Sequence, residues 1–211
     1  MIGDVINIKP EYVNTAREIV SLCGNLFFDK KRVILIAGES GSGKSVTAVS
    51  LQKVLLEHHV DAMVIHQDDY FHLPPATNHD ERLKDISRVG MDEVNLNLMQ
   101  KHIDGFKANA ERITKPLVHY KENEILQESI NIAAYKTLIV EGTYSFALSG
   151  ADTRIFMVRN YKDTLTSRLE RNRDVAGDFI ERVLEIEHGL ISPMAAHADI
   201  VIRKNYKAER L

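Results

Sequence analysis

The 211-residue chain has no tryptophan, one cysteine and five prolines, and none of its apolar runs reaches the length of a membrane span. The lone Cys23 cannot form an intrachain disulfide, which excludes a disulfide-stabilised fold and fits a reducing compartment. A spanning helix needs about 18 consecutive apolar residues, so we expect no membrane partner. The N-terminal segment lacks a basic-then-apolar pattern, so we expect no secretory signal and a cytoplasmic location.

The charges along the chain are nearly balanced, with 27 basic and 30 acidic side chains and a formal net charge of -3. No basic run is long enough to indicate a nucleic-acid partner. No repeat and no low-complexity segment divides the chain. The length and the 44% hydrophobic content fit one domain with a full core.

Short β-branched apolar runs alternate with helical patterns. The predicted strands are 32–37, 62–66, 137–141, 154–158 and 199–203, and the predicted helices are 11–23, 44–59, 92–106, 162–172 and 178–192. We expect a loop at 67–80 and an irregular stretch with a hairpin at 113–135. This alternation predicts an α/β fold of three layers, in which helices flank a mostly parallel sheet.

One segment between a predicted strand and a predicted helix fits the phosphate-loop pattern G-x-x-x-x-G-K-[ST] at every fixed position. It reads Gly38-Glu39-Ser40-Gly41-Ser42-Gly43-Lys44-Ser45 and continues into Val46. Its glycines let backbone N–H groups surround an anion, and the following helix adds a positive N-terminus. We therefore expect the segment to bind ATP, with Lys44 at the β- and γ-phosphates and the Ser45 hydroxyl on Mg²⁺.

Acidic residues follow two of the predicted strands. Asp68 and Asp69 come directly after the second strand, and Glu141 ends the third, before Gly142. Ligands of an open parallel sheet bind beyond the carboxyl ends of its strands. Asp68 or Asp69 is suited to accept the proton of an acceptor hydroxyl or to hold the water shell of a metal, and Glu141 is suited to orient Mg²⁺.

Arginines after the fourth predicted strand are candidates for stabilising a transferred phosphoryl group. Arg168 and Arg171 lie three residues apart and would share a helix face. The alternative is an ion-paired surface, because Glu170, Asp174 and Glu181 are close in sequence. We take Arg168 and Arg171 as catalytic candidates.

Candidates for acceptor binding lie between the second and third strands. They are Asp69, Phe71, Asp92 and Tyr120, with His72 and His119 nearby. An acid such as Asp92 can bind a sugar diol by accepting two hydrogen bonds, and an aromatic ring can stack on a base. The pair Tyr70-Phe71 is also typical of hydrophobic packing.

The ordered set of motifs resembles the uridine kinase and phosphoribulokinase superfamily over about residues 32–203. It comprises the phosphate loop, Gln67-Asp68-Asp69-Tyr70-Phe71, Glu141-Gly142, Arg168 with Arg171, and Pro193 before Ala198-Asp199-Ile200-Val201-Ile202. The segment 67–71 is especially similar to that of nicotinamide riboside kinases. The resemblance implies that Asp68 is the catalytic base and a metal-shell ligand, that Ser45 and Glu141 complete the metal site, and that Lys44 binds phosphate. It also places Phe71 where uridine kinases often have a substrate-stacking tyrosine.

Three segments depart from the uridine kinase pattern. Met91-Asp92-Glu93-Val94-Asn95 lies where those kinases have an Asp-His-Pro-Asp-like segment, Pro116-Leu117-Val118-His119-Tyr120 replaces Pro-x-Tyr-Asp, and Asp174-Val175-Ala176-Gly177-Asp178 replaces the lid's Arg-Gly-Arg. We predict a kinase that moves the γ-phosphoryl of ATP to a hydroxyl of a small molecule, with a nucleoside as the first acceptor. Other acceptors stay open, namely nicotinamide riboside, pantothenate and a sugar phosphate. A regulatory ATPase that has no acceptor is the alternative function.

The expected organisation is a single kinase domain over residues 1–211. Within it we expect a helical extension at 1–31, an acceptor-binding insert at 67–135 and a lid region at 168–192. The expected partners are ATP and a small hydroxyl-bearing acceptor, with no nucleic acid or membrane, and a homo-oligomer is left open.

Overall fold

The computed structural model describes residues 2–3, 6–24, 30–164 and 177–211. Its helices are α1 (Pro10–Cys23), α2 (Lys44–Glu57), α3 (Pro75–Lys84), α4 (Leu96–Lys107) and α5 (Asp178–Ile191). Its strands are β1 (Arg32–Gly38), β2 (Ala62–His66), β3 (Arg112–His119), β4 (Glu124–Asn131), β5 (Thr137–Glu141), β6 (Thr153–Met157), β7 (Ile200–Ile202) and β8 (Ala208–Arg210). None of these helices combines the length and the apolar character needed to cross a bilayer.

Six strands form one sheet in the order β2-β5-β1-β6-β7-β8. All neighbours in it are parallel except β7 and β8. The register pairs Glu141 of β5 with Ile36 of β1 on one side and with His66 of β2 on the other. The carboxyl ends of the central strands therefore meet at one edge of the sheet, as the sequence predicted.

Alternate residues of β1 enter two different cores, one on each face of the sheet. Val33 and Leu35 belong to the core that includes Phe106 of α4. Ile34 and Ile36 belong to the core built with α1 and α2. A strand buried on both faces reads as a continuous apolar run, so the three-layer α/β fold predicted for this chain is confirmed.

The segment at 67–80 is more ordered than the predicted loop. A 3₁₀ turn occupies Gln67–Tyr70, and α3 begins at Pro75. Proline is favoured in the first turn of a helix because the N–H group that it lacks would have no partner there. The Pro74-Pro75 pair therefore marks a helix start, and the loop prediction was wrong for this part of the chain.

The hairpin expected within 113–135 is confirmed as the antiparallel pair β3–β4. The helix predicted at 162–172 falls mostly outside the described residues, which reach only a turn at 161–164. The sequence reading did not find β8, a strand of three residues that pairs with β7.

Candidate active site

The phosphate loop connects β1 to α2 at the carboxyl edge of the sheet. Gly38 has φ +150° and Gly43 has φ +103°. A Cβ atom at Gly38 would lie 2.9 Å from the carbonyl oxygen of Met157, and one at Gly43 would lie 2.9 Å from the ring of Tyr12. Both positions require glycine, for backbone conformation and for space, which is what a backbone cradle for phosphate needs.

Glu39, which occupies an unspecified position of the phosphate-loop pattern, anchors this loop to the rest of the domain. Its buried carboxylate accepts a hydrogen bond from the Tyr161 backbone N–H at 2.7 Å and lies 2.6 Å from His188 Nδ1 of α5. The Glu39 carbonyl oxygen accepts a hydrogen bond of 2.9 Å from Lys44 Nζ. These contacts hold the buried Lys44 amine within the loop, while Ser45 and Val46 lie partly buried in the first turn of α2.

Glu141 lies at the centre of the charged edge. Its carboxylate is 3% exposed, and Oε1 is 2.7 Å from His66 Nδ1. Burial opposes ionisation, but the hydrogen bond and charge of His66, the charge of Lys44 and the Ser45 hydroxyl hold the pKa of Glu141 below its ordinary value. The same pair raises the pKa of His66 against the effect of burial. Glu141 is therefore ionised at neutral pH and lies close to Lys44 and Ser45.

The donor set at this edge fits Mg²⁺. Glu141 supplies an ionised oxygen, and Ser45 supplies a hydroxyl beside it. Hard oxygen ligands of this kind are those that Mg²⁺ takes in phosphate sites. Within the same loop, the Ser42 hydroxyl is buried and has no hydrogen-bond partner among the described residues.

The turn that carries Asp68 is fixed to the end of β5 through Gln67. The buried Gln67 side chain accepts a hydrogen bond from the Tyr144 backbone N–H at 2.8 Å and donates one to the Thr143 hydroxyl at 2.9 Å. Asp68 is exposed and lies two residues after His66, which is paired with Glu141 across the sheet. Asp68 and Glu141 therefore belong to adjacent strand ends. Sequence reasoning assigned no role to Gln67, although the residue stood in the quoted motif.

Asp69 anchors the hairpin to the end of β2. Its buried carboxylate accepts hydrogen bonds from Lys115 Nζ at 3.1 Å and from the Val118 backbone N–H at 3.0 Å. Both oxygens therefore hold β3 against the turn that contains Asp68. The part predicted for Asp69 in substrate binding stays a prediction.

The other predicted acceptor residues lie around this insert. Phe71 packs partly buried against the core, and its backbone forms a bridge with Val94. Asp92 is exposed in a short turn, and Tyr120 lies partly buried at the end of β3. Phe71 therefore contributes to packing, and the parts predicted for Phe71, Asp92 and Tyr120 in substrate binding stay predictions. Arg168 and Arg171 lie outside the described residues.

Sequence reasoning missed a buried charged cluster formed by Arg82 of α3, Glu93 and Glu187 of α5. Arg82 makes two contacts with Glu93, at 2.6 and 2.8 Å, and one with Glu187 at 3.3 Å. The residues are 11 and 105 positions apart, so no local pattern indicates them. Burial raises the pKa of Glu187 even though the charges of Arg82 and Lys44 act to lower it.

A phosphate loop at the carboxyl edge of a parallel sheet, one strand from an ionised carboxylate, defines the class of P-loop phosphotransferases. The chain belongs to the Phosphoribulokinase / Uridine kinase family, whose family model matches residues 33–205. Kinases of this family use ATP and a metal ion.

Two similar proteins carry the names of different kinases. The bifunctional alpha-galactosidase/sucrose kinase AgaSK of Mediterraneibacter gnavus is 28% identical over 191 residues, which is 84% of this chain and 20% of that longer protein. The uridine kinase of Bacillus pumilus is 29% identical over 195 residues, which is 82% of this chain and 86% of the relative. The chain thus spans about a fifth of the first protein and most of the second.

Solved structures show the same fold at lower identity. Phosphoribulokinase from Rhodobacter spheroides has a TM-score of 0.62 at 15% identity, over 82% of this chain and 70% of its own. A possible uridine kinase from Bacillus stearothermophilus has a TM-score of 0.60 at 17% identity, over 89% of this chain and 98% of its own. The three-layer P-loop fold is therefore shared with both.

Proposed function

We propose that this protein transfers the γ-phosphoryl group of ATP to a hydroxyl of a small molecule that carries a sugar ring. The observation that carries the proposal is the position of Glu141, ionised by His66 and in contact with Ser45 beside Lys44. A catalytic edge with these charges suits phosphoryl transfer, because its transition state needs positioning and electrostatic stabilisation more than covalent chemistry.

The nucleotide side of the reaction is assigned to residues 38–46. The backbone N–H groups of the loop bind the phosphates, and Lys44 neutralises charge on their oxygens. Ser45 and Glu141, with Asp68 in the water shell, would hold Mg²⁺, which supplies positive charge to the β- and γ-phosphate oxygens when bound. We expect a chelator to abolish turnover for this reason.

The acceptor side begins at Asp68. Its exposed carboxylate follows β2 at the same edge, where it can accept the proton of the attacking hydroxyl. Arg168 and Arg171 are proposed to stabilise the charge of the transferred group. The insert over 67–135 and α5 are proposed to supply the remaining surface for the acceptor.

Two acceptor classes are supported by particular relatives. Similarity to uridine kinases supports a nucleoside as the acceptor of this protein. Similarity to the protein whose name includes sucrose kinase supports a free carbohydrate. Both acceptors present sugar hydroxyls. The departures from the uridine kinase motifs at 91–95 and 116–120 leave the base as the less constrained part of the acceptor.

The direct test is acceptor-dependent ADP release by the purified protein with ATP and Mg²⁺. We would assay nucleosides, nicotinamide riboside, sucrose and other neutral sugars, pantothenate and sugar phosphates. We expect slow ATP hydrolysis alone and much faster ADP release with a neutral sugar-bearing acceptor. ATP binding without any response to the panel would instead favour the regulatory ATPase.

A further inference from the structure

The side chain of Tyr144, just after β5, is buried together with its hydroxyl. The residue lies three positions after Glu141, and its side chain is 0% exposed. Among the described residues its hydroxyl has no hydrogen-bond partner. Proteins rarely leave a buried polar group unpaired, because its desolvation is not compensated. The Tyr144 hydroxyl therefore calls for a partner that the described part of the chain does not supply.

The surroundings of Tyr144 show what this hydroxyl faces. Burial raises its pKa first, the charges of Glu187 and Glu93 raise it further, and the charge of Arg82 lowers it. The hydroxyl consequently lies within the field of the buried cluster that joins α3 to α5. Glu187 and Tyr144 influence each other without a hydrogen bond between them.

Glu187 is the less satisfied carboxylate of that cluster. The guanidinium of Arg82 is committed to Glu93 in a two-pronged contact, and Asn78 and the Gly90 backbone N–H also donate to Glu93. Glu187 receives one longer contact of 3.3 Å from Arg82. Burial accordingly raises the pKa of Glu187, whereas for Glu93 the effect of burial is outweighed by the hydrogen bonds and charge of its partners, which lower its pKa. A further hydrogen-bond donor beside Glu187 would offset its desolvation.

The cluster borders the phosphate loop. The charge of Lys44 lowers the pKa of Glu187, and the next residue of α5, His188, contacts Glu39 within the loop. The side chains of Arg82 and Glu187 are 15% and 12% exposed, so each keeps a small solvent-facing surface, and Tyr144 lies deeper.

We propose that Tyr144, Glu187 and Arg82 form the hydroxyl-binding subsite of the acceptor, and that it takes a neutral sugar diol. This inference rests on the proposed kinase function and names the chemistry of its acceptor. One bound hydroxyl accepts from Tyr144 and donates to Glu187, which satisfies both groups. The subsite holds two carboxylates and one guanidinium, so it disfavours an acceptor that carries phosphate or carboxylate. Nucleosides and free sugars fit it better than sugar phosphates or pantothenate.

The first test compares Tyr144→Phe with the unmodified protein by calorimetric titration of sucrose and of uridine, without ATP. For whichever of the two probes the unmodified protein binds, we expect the affinity of Tyr144→Phe to be about tenfold lower. Loss of one hydrogen bond of about 1.4 kcal/mol gives this factor. We also expect Tm to stay unchanged or rise, because the removed hydroxyl has no hydrogen-bond partner in the part of the chain that the structure describes. A residue with a merely structural role would lower Tm and leave affinity intact.

A second pair of variants tests the carboxylate. Glu187→Gln should weaken binding of the same probe by about tenfold or more, since it removes a charged acceptor. Glu185→Gln is the matched control, because Glu185 lies exposed on the same helix. Probes that lack one sugar hydroxyl should lose affinity for the unmodified protein, and one of these losses should disappear in Tyr144→Phe, as in a double-mutant cycle.

The outcomes separate this inference from the kinase function. Equal affinity of Tyr144→Phe and the unmodified protein, tight binding of ribose 5-phosphate or pantothenate alone, or no binding of any neutral sugar or nucleoside would overturn the subsite. Binding that depends on Tyr144 without acceptor-dependent ADP release would support the subsite and contradict the proposed reaction.

Discussion

Glu141 and Glu187 are two buried carboxylates within the field of Lys44, one on the nucleotide side and one on the acceptor side. Glu141 has a 2.7 Å contact with His66, and its pKa is lowered. Glu187 has a 3.3 Å contact with Arg82, and its pKa is raised by burial. Similar burial therefore accompanies opposite shifts of the pKa, because the number and quality of partners differ.

This difference shows how the two sides prepare for their ligands. The nucleotide side is pre-organised, since protein groups already hold its carboxylate in the ionised form that a metal ion needs. The acceptor side keeps polar groups that the protein satisfies only in part. Variants that separate the two sides test the comparison directly.

The largest effect is expected from Asp68→Asn. If Asp68 accepts the proton of the attacking hydroxyl, kcat should fall by about 10²- to 10⁴-fold. The Kd of ATP should change little, because the phosphate loop is intact. Steady-state kinetics and ATP titration measure the two quantities, and Asp80→Asn, at an exposed site on α3, is the control. Near-normal turnover would remove Asp68 from the mechanism.

The next effect concerns stability on the acceptor side. Asp69→Asn removes the buried partner charge of the Lys115 ammonium and leaves only the exposed Glu128, so we expect the free energy of unfolding in urea to fall by about 3 kcal/mol. The control Glu128→Gln removes the 41% exposed partner of the same lysine and should cost less than about 1 kcal/mol. Equal losses would show that burial does not decide the strength of these pairs.

The sequence predicted the nucleotide side well because its parts are local. Lys44 and Ser45 stand in one contiguous motif, and Glu141 ends an apolar strand whose neighbours follow from the parallel topology. The backbone conformation that the loop needs is encoded by glycine itself. The contact between Glu39 and His188 was not predictable, since it joins residues 149 positions apart.

The acceptor side could not be predicted in the same way. Arg82 looks like any charged residue of a polar helix, and its pairing with Glu187 depends on how α5 packs. Asp69 and Asp68 are chemically identical neighbours, and only the tertiary position of the hairpin buries the first and exposes the second. Tyr144 gave no periodic or motif signal. Long-range packing decides each of these cases.

Substitutions at two separate glycines test how tightly the end of β5 packs against the turn that follows β2. A Cβ atom at Gly142 would lie 2.3 Å from the Cβ of Gln67, so Gly142→Ala should cost about 1–3 kcal/mol and also lower kcat by displacing the turn of Asp68. Gly189→Ala, in α5 with nothing within 4 Å of its added Cβ, should instead stabilise by about 0.5–1 kcal/mol. Thermal unfolding measures both variants. A harmless Gly142→Ala would show that the Gln67 contact can move.

The smallest effect is a pH dependence whose sign differs between the two carboxylates. Glu187 has a folded-state pKa above its ordinary 4.5, so the folded protein holds its proton more tightly than the unfolded chain. The protonated form therefore contributes stability that is fully present below pH 4.5. This stability is lost as pH rises from 4.5 through the raised pKa. For Glu141 the lowered pKa contributes stability that is present above 4.5 and is lost as pH falls through the folded value.

Urea unfolding from about pH 3 to pH 8 in magnesium-free buffer should reveal both signs. Relative to Glu187→Gln, the unmodified protein should lose stability as pH rises, because only it must ionise a partly satisfied buried carboxyl. Relative to Glu141→Gln, it should gain stability as pH rises to 4.5, because His66 and Lys44 favour the charge that forms, and it should lose stability again as pH rises through the raised pKa of His66. Absence of any loss relative to Glu187→Gln above pH 4.5 would mean that the acceptor-side carboxylate is as well satisfied as the nucleotide-side one, and that no ligand hydroxyl is needed to complete it.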